Sequence, residues 1–385
     1  MAQRRSGQIV SKGKDRWLVR IFLGRDKVTG RRIYDAEIVD GNKGDAQRFL
    51  NNKLSSKDKG QLVRKTSISL KEYLEKWLDT IVKIRVREAT WESYKYHLEH
   101  YLFEDLGAHK LAKLTTFDIQ SFVNKMSERY SPRTVQYTFT ILKNALNKAV
   151  ETRQIGHNPC GFVALPKRKK REIKVFSPEQ AQKFLAFAED DKHGLIFEFA
   201  LITGARPEEY LALKWSDLEL TRKTATFQRT LIWRKGGGWY FDEEMKTSHS
   251  RRTIPLPEML LSKLKKHRIQ QAEQMMLLGA AYERNDLVFA NEIGAPLHYG
   301  NLTKRNFQSI LKKAGLGHHR LYSLRHSCAT LLLAKGVNIK VIQERLGHAD
   351  VNLTLSTYSH VLEGMQAQAS DEFADMFYRR KSSNN

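Results

Sequence analysis

Acidic residues and cysteines are both scarce in this chain of 385 residues. Asp and Glu number 42 against 66 Lys and Arg, a formal net charge of +24. Cysteine occurs twice, at Cys160 and Cys328. Two thiols cannot build a thiolate metal cage, and they argue against a disulfide framework and for a reducing compartment. No run approaches the roughly 18 consecutive apolar residues that a membrane span requires. The opening MAQRRSGQIV has no apolar stretch like the core of a secretory signal. The expected location is therefore the cytoplasm, with no membrane partner. Gly236-Gly237-Gly238 is not followed by Lys-Ser/Thr, so it reads as a hairpin turn rather than a nucleotide-binding loop. Asp242-Glu243-Glu244 has no identifiable distant third ligand, and His318-His319 has no placed partners. Both read as loops, and no metal or cofactor is expected.

What is present in excess is positive charge. Such an imbalance calls for a polyanionic partner, nucleic acid before membrane. Apolar residues at 41% and charged residues at 28% still describe a folded protein rather than a disordered tail. The charge is concentrated. Residues 1–65 hold 17 Lys/Arg and 7 Asp/Glu. A second focus, Lys167, Arg168, Lys169, Lys170 and Arg171, follows Pro166. Alone, that run would be a solvated linker. With the global excess it reads as nucleic-acid-binding, because cations spread along a strand's path release counterions from the phosphates they neutralise. Arg16 and Arg20 are the matching candidates near the N-terminus.

Periodicity divides the chain. Trp17, Val19, Ile21 and Leu23 alternate with Leu18, Arg20 and Phe22, and Thr29-Gly30 turns into a second strand with Ile33 and Tyr34. A short helix opens at Gly44-Asp45, with Ala46, Phe49 and Leu50 on one face. Residues 1–60 are thus expected to be a small basic sheet plus a helix, followed by a polar stretch from Ser55 to Lys65 and a linker at 61–67. Residues 68–160 read as all-helical. Ser69 caps the first helix, Thr90 the next, and Ser131-Pro132 a third, since proline is tolerated where a helix N–H has no partner. His97 and His100 flank a helical stripe and read as surface residues. Asn158-Pro159 and Pro166 end this pattern, and 161–174 is a basic linker. From 175 to 378 a mixed, mainly helical domain is expected. Ser177 opens it, with Gln180 placed for a capping box. Thr224 to Trp233 reads as one strand, Trp239–Phe241 and Arg252–Leu256 as others, and 257–378 as mostly helix. Phe373, Met376 and Phe377 lie at helical spacing before the polar tail 379–385. That stripe packs on its own domain or on a neighbouring copy.

Four segments carry chemistry. The first, from Thr203 to Asp217, contains Arg206-Pro207-Glu208-Glu209. The second is Lys246-Thr247-Ser248-His249-Ser250-Arg251-Arg252-Thr253-Ile254-Pro255-Leu256. The third is Tyr322-Ser323-Leu324-Arg325-His326-Ser327. The fourth is Leu346-Gly347-His348, followed by Tyr358. Taken singly, each residue has an ordinary reading: a surface ion pair for Arg206 and Glu209, an exposed turn for Lys246, a helix-end histidine for His348, half-buried core for Tyr358. Together and in this order they resemble the tyrosine recombinases, the phage integrase family. The likeness covers nearly the whole chain, with 1–60 similar to the arm-binding domain of integrases from temperate phages and integrative conjugative transposons, 68–160 to the core-binding domain, and 175–378 to the catalytic domain.

The resemblance implies a site-specific DNA recombinase that cuts and rejoins duplex DNA through a 3′-phosphotyrosyl intermediate, without ATP, to integrate or excise a mobile element. It implies Tyr358 as nucleophile, Arg206 and Arg325 as the grip on the scissile phosphate, Lys246 as general acid for the leaving 5′ oxygen, His348 in proton transfer or hydrogen bonding, and Glu209 as support for Arg206. Core and arm sites on double-stranded DNA, a homotetramer, and accessory DNA-bending or excision proteins are the implied partners. The chemistry fits independently. Paired guanidiniums match the charge that builds on a phosphoryl transition state. A phenol, with a pKa of about 10, needs a base or a cationic field to attack. One position departs: the family pattern His-x-x-Arg reads Tyr322-x-x-Arg325 here. A phenol still donates a hydrogen bond to phosphate but is a poor base near neutrality. His319 would lie one turn before Tyr322 if that stretch were helical, and could substitute. A DNA-binding regulator with a dead site, and a relaxing topoisomerase, remain alternatives.

Overall fold

A computed structural model describes residues 7–25, 30–58, 67–168, 174–234, 236–243 and 251–350, with isolated helical positions at 370, 373, 374 and 377. The chain divides into two compact units, residues 1–170 and 171–385.

In the first unit, strands β1 (Gly7–Ser11), β2 (Arg16–Arg25) and β3 (Arg32–Asp40) form an antiparallel sheet in the order β1-β2-β3. Alternation decides its faces. Val19 and Ile21 are buried under helix α1 (Lys43–Asp58) with Ala46, Leu50 and Leu54. On the other face Arg20 stacks over the Tyr34 ring, 4.6 Å from its centroid. The sequence reading missed β1. It also opened α1 late and ended it early. Asn42 Oδ1 accepts from the Asp45 amide, and the Asp45 carboxylate accepts from the Asn42 amide, so the cap precedes Gly44 and the helix runs on through Asp58.

The helices α2 (Leu70–Trp77), α3 (Glu88–His97), α4 (Phe103–Leu106), α5 (Thr116–Arg129) and α6 (Pro132–Glu151) enclose a second core in this unit. α2 and α3 each end in a π-type turn, Leu78–Val82 and Leu98–Leu102. Ser69 with Glu72 and Thr115 with Asp118 form reciprocal capping boxes, and Ser131 caps α6 ahead of Pro132. Arg87, not Thr90, precedes α3, with no side-chain cap. His97 is not a surface residue: its Nδ1 lies 2.7 Å from Oγ1 of the buried Thr138. The chain after α6 returns along the bundle, where the Pro166 carbonyl accepts from Gln136 Nε2 at 2.7 Å.

The second unit is built around α8 (Gly194–Thr203), whose Phe197, Phe199 and Ala200 are buried on all sides, as expected of a helix that is apolar all round. Before it comes α7 (Pro178–Ala188), started by the expected Ser177–Gln180 box; after it comes the single turn α9 (Pro207–Tyr210). Strands β4 (Leu218–Glu219), β5 (Thr224–Phe227) and β8 (Arg252–Pro255) form one antiparallel sheet, and β6 (Thr230–Trp233) and β7 (Trp239–Asp242) form a separate hairpin. The segment expected as one strand, 224–233, is therefore two. The break has a tertiary cause: Gln228 donates to the buried Asp217 and Arg229 pairs with it, so these residues leave the ladder. The remaining helices are α10 (Glu258–Leu278), α11 (Tyr299–Asn301), α12 (Gln308–Lys313), α13 (Ser323–Ala334) and α14 (Ile339–Leu346). Phe373 and Phe377 are helical and exposed, with ring centroids 5.0 Å apart. Among the described residues no helix is long and apolar enough to cross a membrane.

Candidate active site

The site forms where two helices of the second unit end. α8 stops at Gly204 and α14 at Gly347, both in the left-handed conformation (φ 66° and 65°) that glycine adopts without penalty. The last carbonyls of a helix lack intrahelical donors and carry the negative end of its dipole. Here guanidiniums supply the donors. At α14, three successive carbonyls each take a different arginine. Arg345 O accepts from Arg252 Nε at 2.6 Å, Leu346 O from Arg325 Nη2 at 2.6 Å, and Gly347 O from Arg206 Nη2 at 3.2 Å. At α8, Gly204 O accepts from Arg325 Nη1 at 2.7 Å, and Ile202 O from Arg345 at 3.0 Å. Gly204 has no space to spare: a Cβ built there would lie 2.8 Å from Leu346 Cδ2 and 3.1 Å from Cys328 Sγ.

Among the described residues, one buried carboxylate sits among these cations. Glu209, in the first turn of α9, is 2% exposed. It accepts from the Arg206 backbone and side chain at 2.8 and 2.7 Å, and from both terminal nitrogens of Arg252 at 3.0 and 2.7 Å. Burial favours its neutral form, but Arg252 first, then Arg206 and Arg325, outweigh burial and hold its pKa at about 2. Three guanidiniums thus surround one acid. The excess is felt by the neighbours. Burial, then the Arg206 charge, push the Arg325 pKa down to about 10. His348 is lowered to about 4 by burial and then by Arg325 and Arg206, and His326 to about 4 by burial and Arg325. At neutral pH both imidazoles are uncharged.

The structure therefore brings together Arg206, Glu209, Arg325 and His348. Tyr322 is with them: it precedes α13, its ring centroid is 5.2 Å from that of His326, and its phenol interacts electrostatically with both Arg206 and Arg325. His319 is not available as a substitute. Residues 317–320 are irregular rather than helical, and the His319 ring is buried against Phe176, centroids 4.4 Å apart. Lys246 and Tyr358 lie outside the described residues, as do Lys169, Lys170 and Arg171. Arg16 is exposed and pairs with Asp40 at 3.2 Å, Arg20 is half-buried on Tyr34, and Lys167 and Arg168 are exposed. Sequence reasoning missed the part played by Arg252. Its only local signal is its place in the basic run that follows Lys246.

Among the described residues, three guanidiniums pinned to helix-end carbonyls thus meet around one buried carboxylate. Residues 174–365 match the phage integrase family, and residues 69–127 match the N-terminal SAM-like domain of phage integrases. The chain belongs to this family and is a tyrosine-type site-specific recombinase that integrates or excises a mobile element. A tyrosine recombinase XerC-like protein from Caldanaerobacter subterraneus subsp. tengcongensis is 29% identical over 387 residues, covering 96% of this chain and 98% of that protein. The structure of the Tn1549 transposon integrase in complex with a circular intermediate DNA superposes with a TM-score of 0.66 at 22% identity, over 79% of this chain and 99% of that one. A lambda integrase tetramer bound to a Holliday junction matches with a TM-score of 0.55 at 17% identity, over 91% of this chain and 97% of that one.

Proposed function

We propose that Tyr358 attacks the scissile phosphorus of a duplex core site while Arg206 and Arg325 bind its non-bridging oxygens. The tyrosyl O–P bond forms as the bond to the 5′ oxygen breaks, and Lys246 gives that oxygen its proton. The phenol proton passes to a neutral acceptor, a role we assign to His348, which is uncharged at neutral pH. Docking an anion among the arginines offsets the charge that lowers the histidine's pKa, so binding itself readies the base. Tyr322 donates to a phosphate oxygen in place of an imidazole, and Glu209 keeps Arg206 oriented. Rejoining reverses these steps: the phosphotyrosyl ester conserves the bond energy, and no ATP or metal enters the scheme. The observation that carries the assignment is the ratio of charges among the described residues, three fixed guanidiniums to one buried carboxylate. A buried cation without a counterion is costly, so the site favours a further anion.

Around this centre, residues 1–60 serve as the arm-site reader and 68–160 with 175–378 as the clamp on core DNA, with Arg16, Arg20 and the 167–171 run on the phosphate backbone. The active assembly is a homotetramer on DNA, a reading supported by the lambda integrase tetramer on its junction. Accessory DNA-bending or excision proteins set direction, and the work is done at the bacterial nucleoid in the cytoplasm. The test is a suicide duplex built on the joined ends of the element that carries this chain, with peptide mapping of the trapped adduct. The adduct is expected on Tyr358, and Tyr358→Phe abolishes it while leaving binding intact. An adduct that survives in that variant overturns the assignment.

A further inference from the structure

The two phosphate-binding arginines and the acid beside Arg206 leave one buried guanidinium without a role. Arg252, the first residue of β8, has only 7% of its side chain exposed. It lies over the Phe227 ring, 4.8 Å from the centroid. Its planar fork is committed on three sides. Both terminal nitrogens reach the two oxygens of Glu209, and Nε reaches the Arg345 carbonyl at 2.6 Å. An ammonium could carry the charge but could not reproduce this geometry, because only guanidinium offers coplanar donors in a fixed fork.

These contacts join three pieces of chain that sequence keeps far apart. Glu209 belongs to α9, whose N-cap is Arg206. Arg345 O is the first of the three α14 carbonyls, and the next two hold Arg325 and Arg206. Arg345 in turn donates to Ile202 O near the end of α8. Moving Arg252 would release one face of Glu209 and one end of the carbonyl row together, and both set where Arg206 sits. Arg252 is also the first strand residue reached after the segment that holds Lys246.

We propose that Arg252 is a positioning residue for strand cleavage: from β8 it locks Glu209 and the end of α14 so that Arg206 and Arg325 meet the scissile phosphate already aligned. This rests on the reading of those two arginines as phosphate ligands. Arg252 itself is enclosed and does not touch DNA. Its loss therefore acts on the chemical step, where fixed donors matter most, and not on affinity, which comes from many backbone contacts.

The test uses the full chain with Arg252→Lys and Arg252→Gln on the suicide duplex described above. Adduct formation is timed at saturating DNA, and Kd is measured on the intact duplex. Arg252→Lys should slow adduct formation about tenfold and Arg252→Gln about 30-fold or more, with Kd within about threefold of the parent. A second substrate carries an uncharged methylphosphonate at the scissile position. A neutral linkage no longer requires two aligned guanidiniums, so the deficit of each variant relative to the parent chain should shrink to under about threefold. Merely misfolded protein would slow both linkages equally. Equal slowing, or a phosphodiester rate within about twofold of the parent for Arg252→Gln, overturns the proposal. Arg252→Lys preserves the charge beside Glu209 and keeps the comparison readable if Arg252→Gln folds poorly. Should the parent chain itself form no adduct, the phosphate-ligand reading fails instead.

Discussion

The arginines at the ends of α8 and α14 and the cations on the first unit carry the same charge under opposite conditions. Arg325 is 2% exposed, and two carbonyls fix its terminal nitrogens. Lys167 and Arg168 are exposed, and the Arg16–Asp40 pair is open to solvent on both sides. The first kind has met its desolvation and ordering costs during folding, so it can act on a transition state without reorganising. The second kind is hydrated and screened, and is suited to affinity that varies with salt. On the proposed reading, one protein uses positive charge twice: as a rigid tool at one centre, and as a diffuse attraction elsewhere.

The contrast can be pressed hardest at Arg325. Arg325→Lys keeps the charge but cannot satisfy the carbonyls of Gly204 and Leu346 at once. Cleavage at saturating DNA should fall by about 10²–10³, as for loss of one preorganised donor, while Kd changes little. A large rise in Kd with an unchanged cleavage rate would erase the distinction between the two kinds of cation. The complementary change is Lys167→Ala with Arg168→Ala. If both contact phosphates, affinity for duplex should drop roughly tenfold at moderate salt, and the slope of log K against log salt should lessen by about 2. The single-turnover rate at saturation should not move. A salt slope equal to the parent's would remove these residues from the DNA interface.

The smallest effect expected concerns protons. Burial, and after it the crowded guanidiniums, hold His326 and His348 at about 4, below the ordinary histidine value of about 6.5. Between these values the unfolded chain binds more protons than the folded one, so stability is full above pH 6.5 and declines as pH falls toward 4. The melting temperature should drop by several degrees more across that window in the parent than in a His326→Asn, His348→Asn variant. Parallel curves would show that the clamp does not repel protons as its geometry implies.

How much of this could be read in advance differs by residue, for physical reasons. Arg206 and Glu209 were legible because a proline-started helix turn places residues three apart side by side, and the structure joins them. His348 was legible through the family resemblance carried by Leu346-Gly347-His348, and α14 does end at Gly347. The Ser69, Ser131 and Ser177 caps were local hydrogen bonds with local signatures. Arg252 was nearly opaque: its partners Glu209 and Arg345 lie 43 and 93 residues away, and its place in the basic run after Lys246 does not single it out. The break between β5 and β6 was hidden for the same reason, since alternation at 224–233 continues in sequence while Asp217 pulls Gln228 and Arg229 aside. His319 was misjudged because an assumed helical turn carried the inference. The β1 strand is too short, and starts at too weak a residue, Gly7, to stand out.

Gly204 gives this architecture a single point of leverage. Its carbonyl steadies Arg325, while the hydrogen where a side chain would begin faces Leu346 and Cys328. One added methyl there would press on the Leu346 and Cys328 side chains, which lie in the elements that carry Arg325 and its carbonyl partner, and would strain a backbone held at φ 66°. The missing side chain at Gly204 thus lets two helix ends close on each other around Arg325.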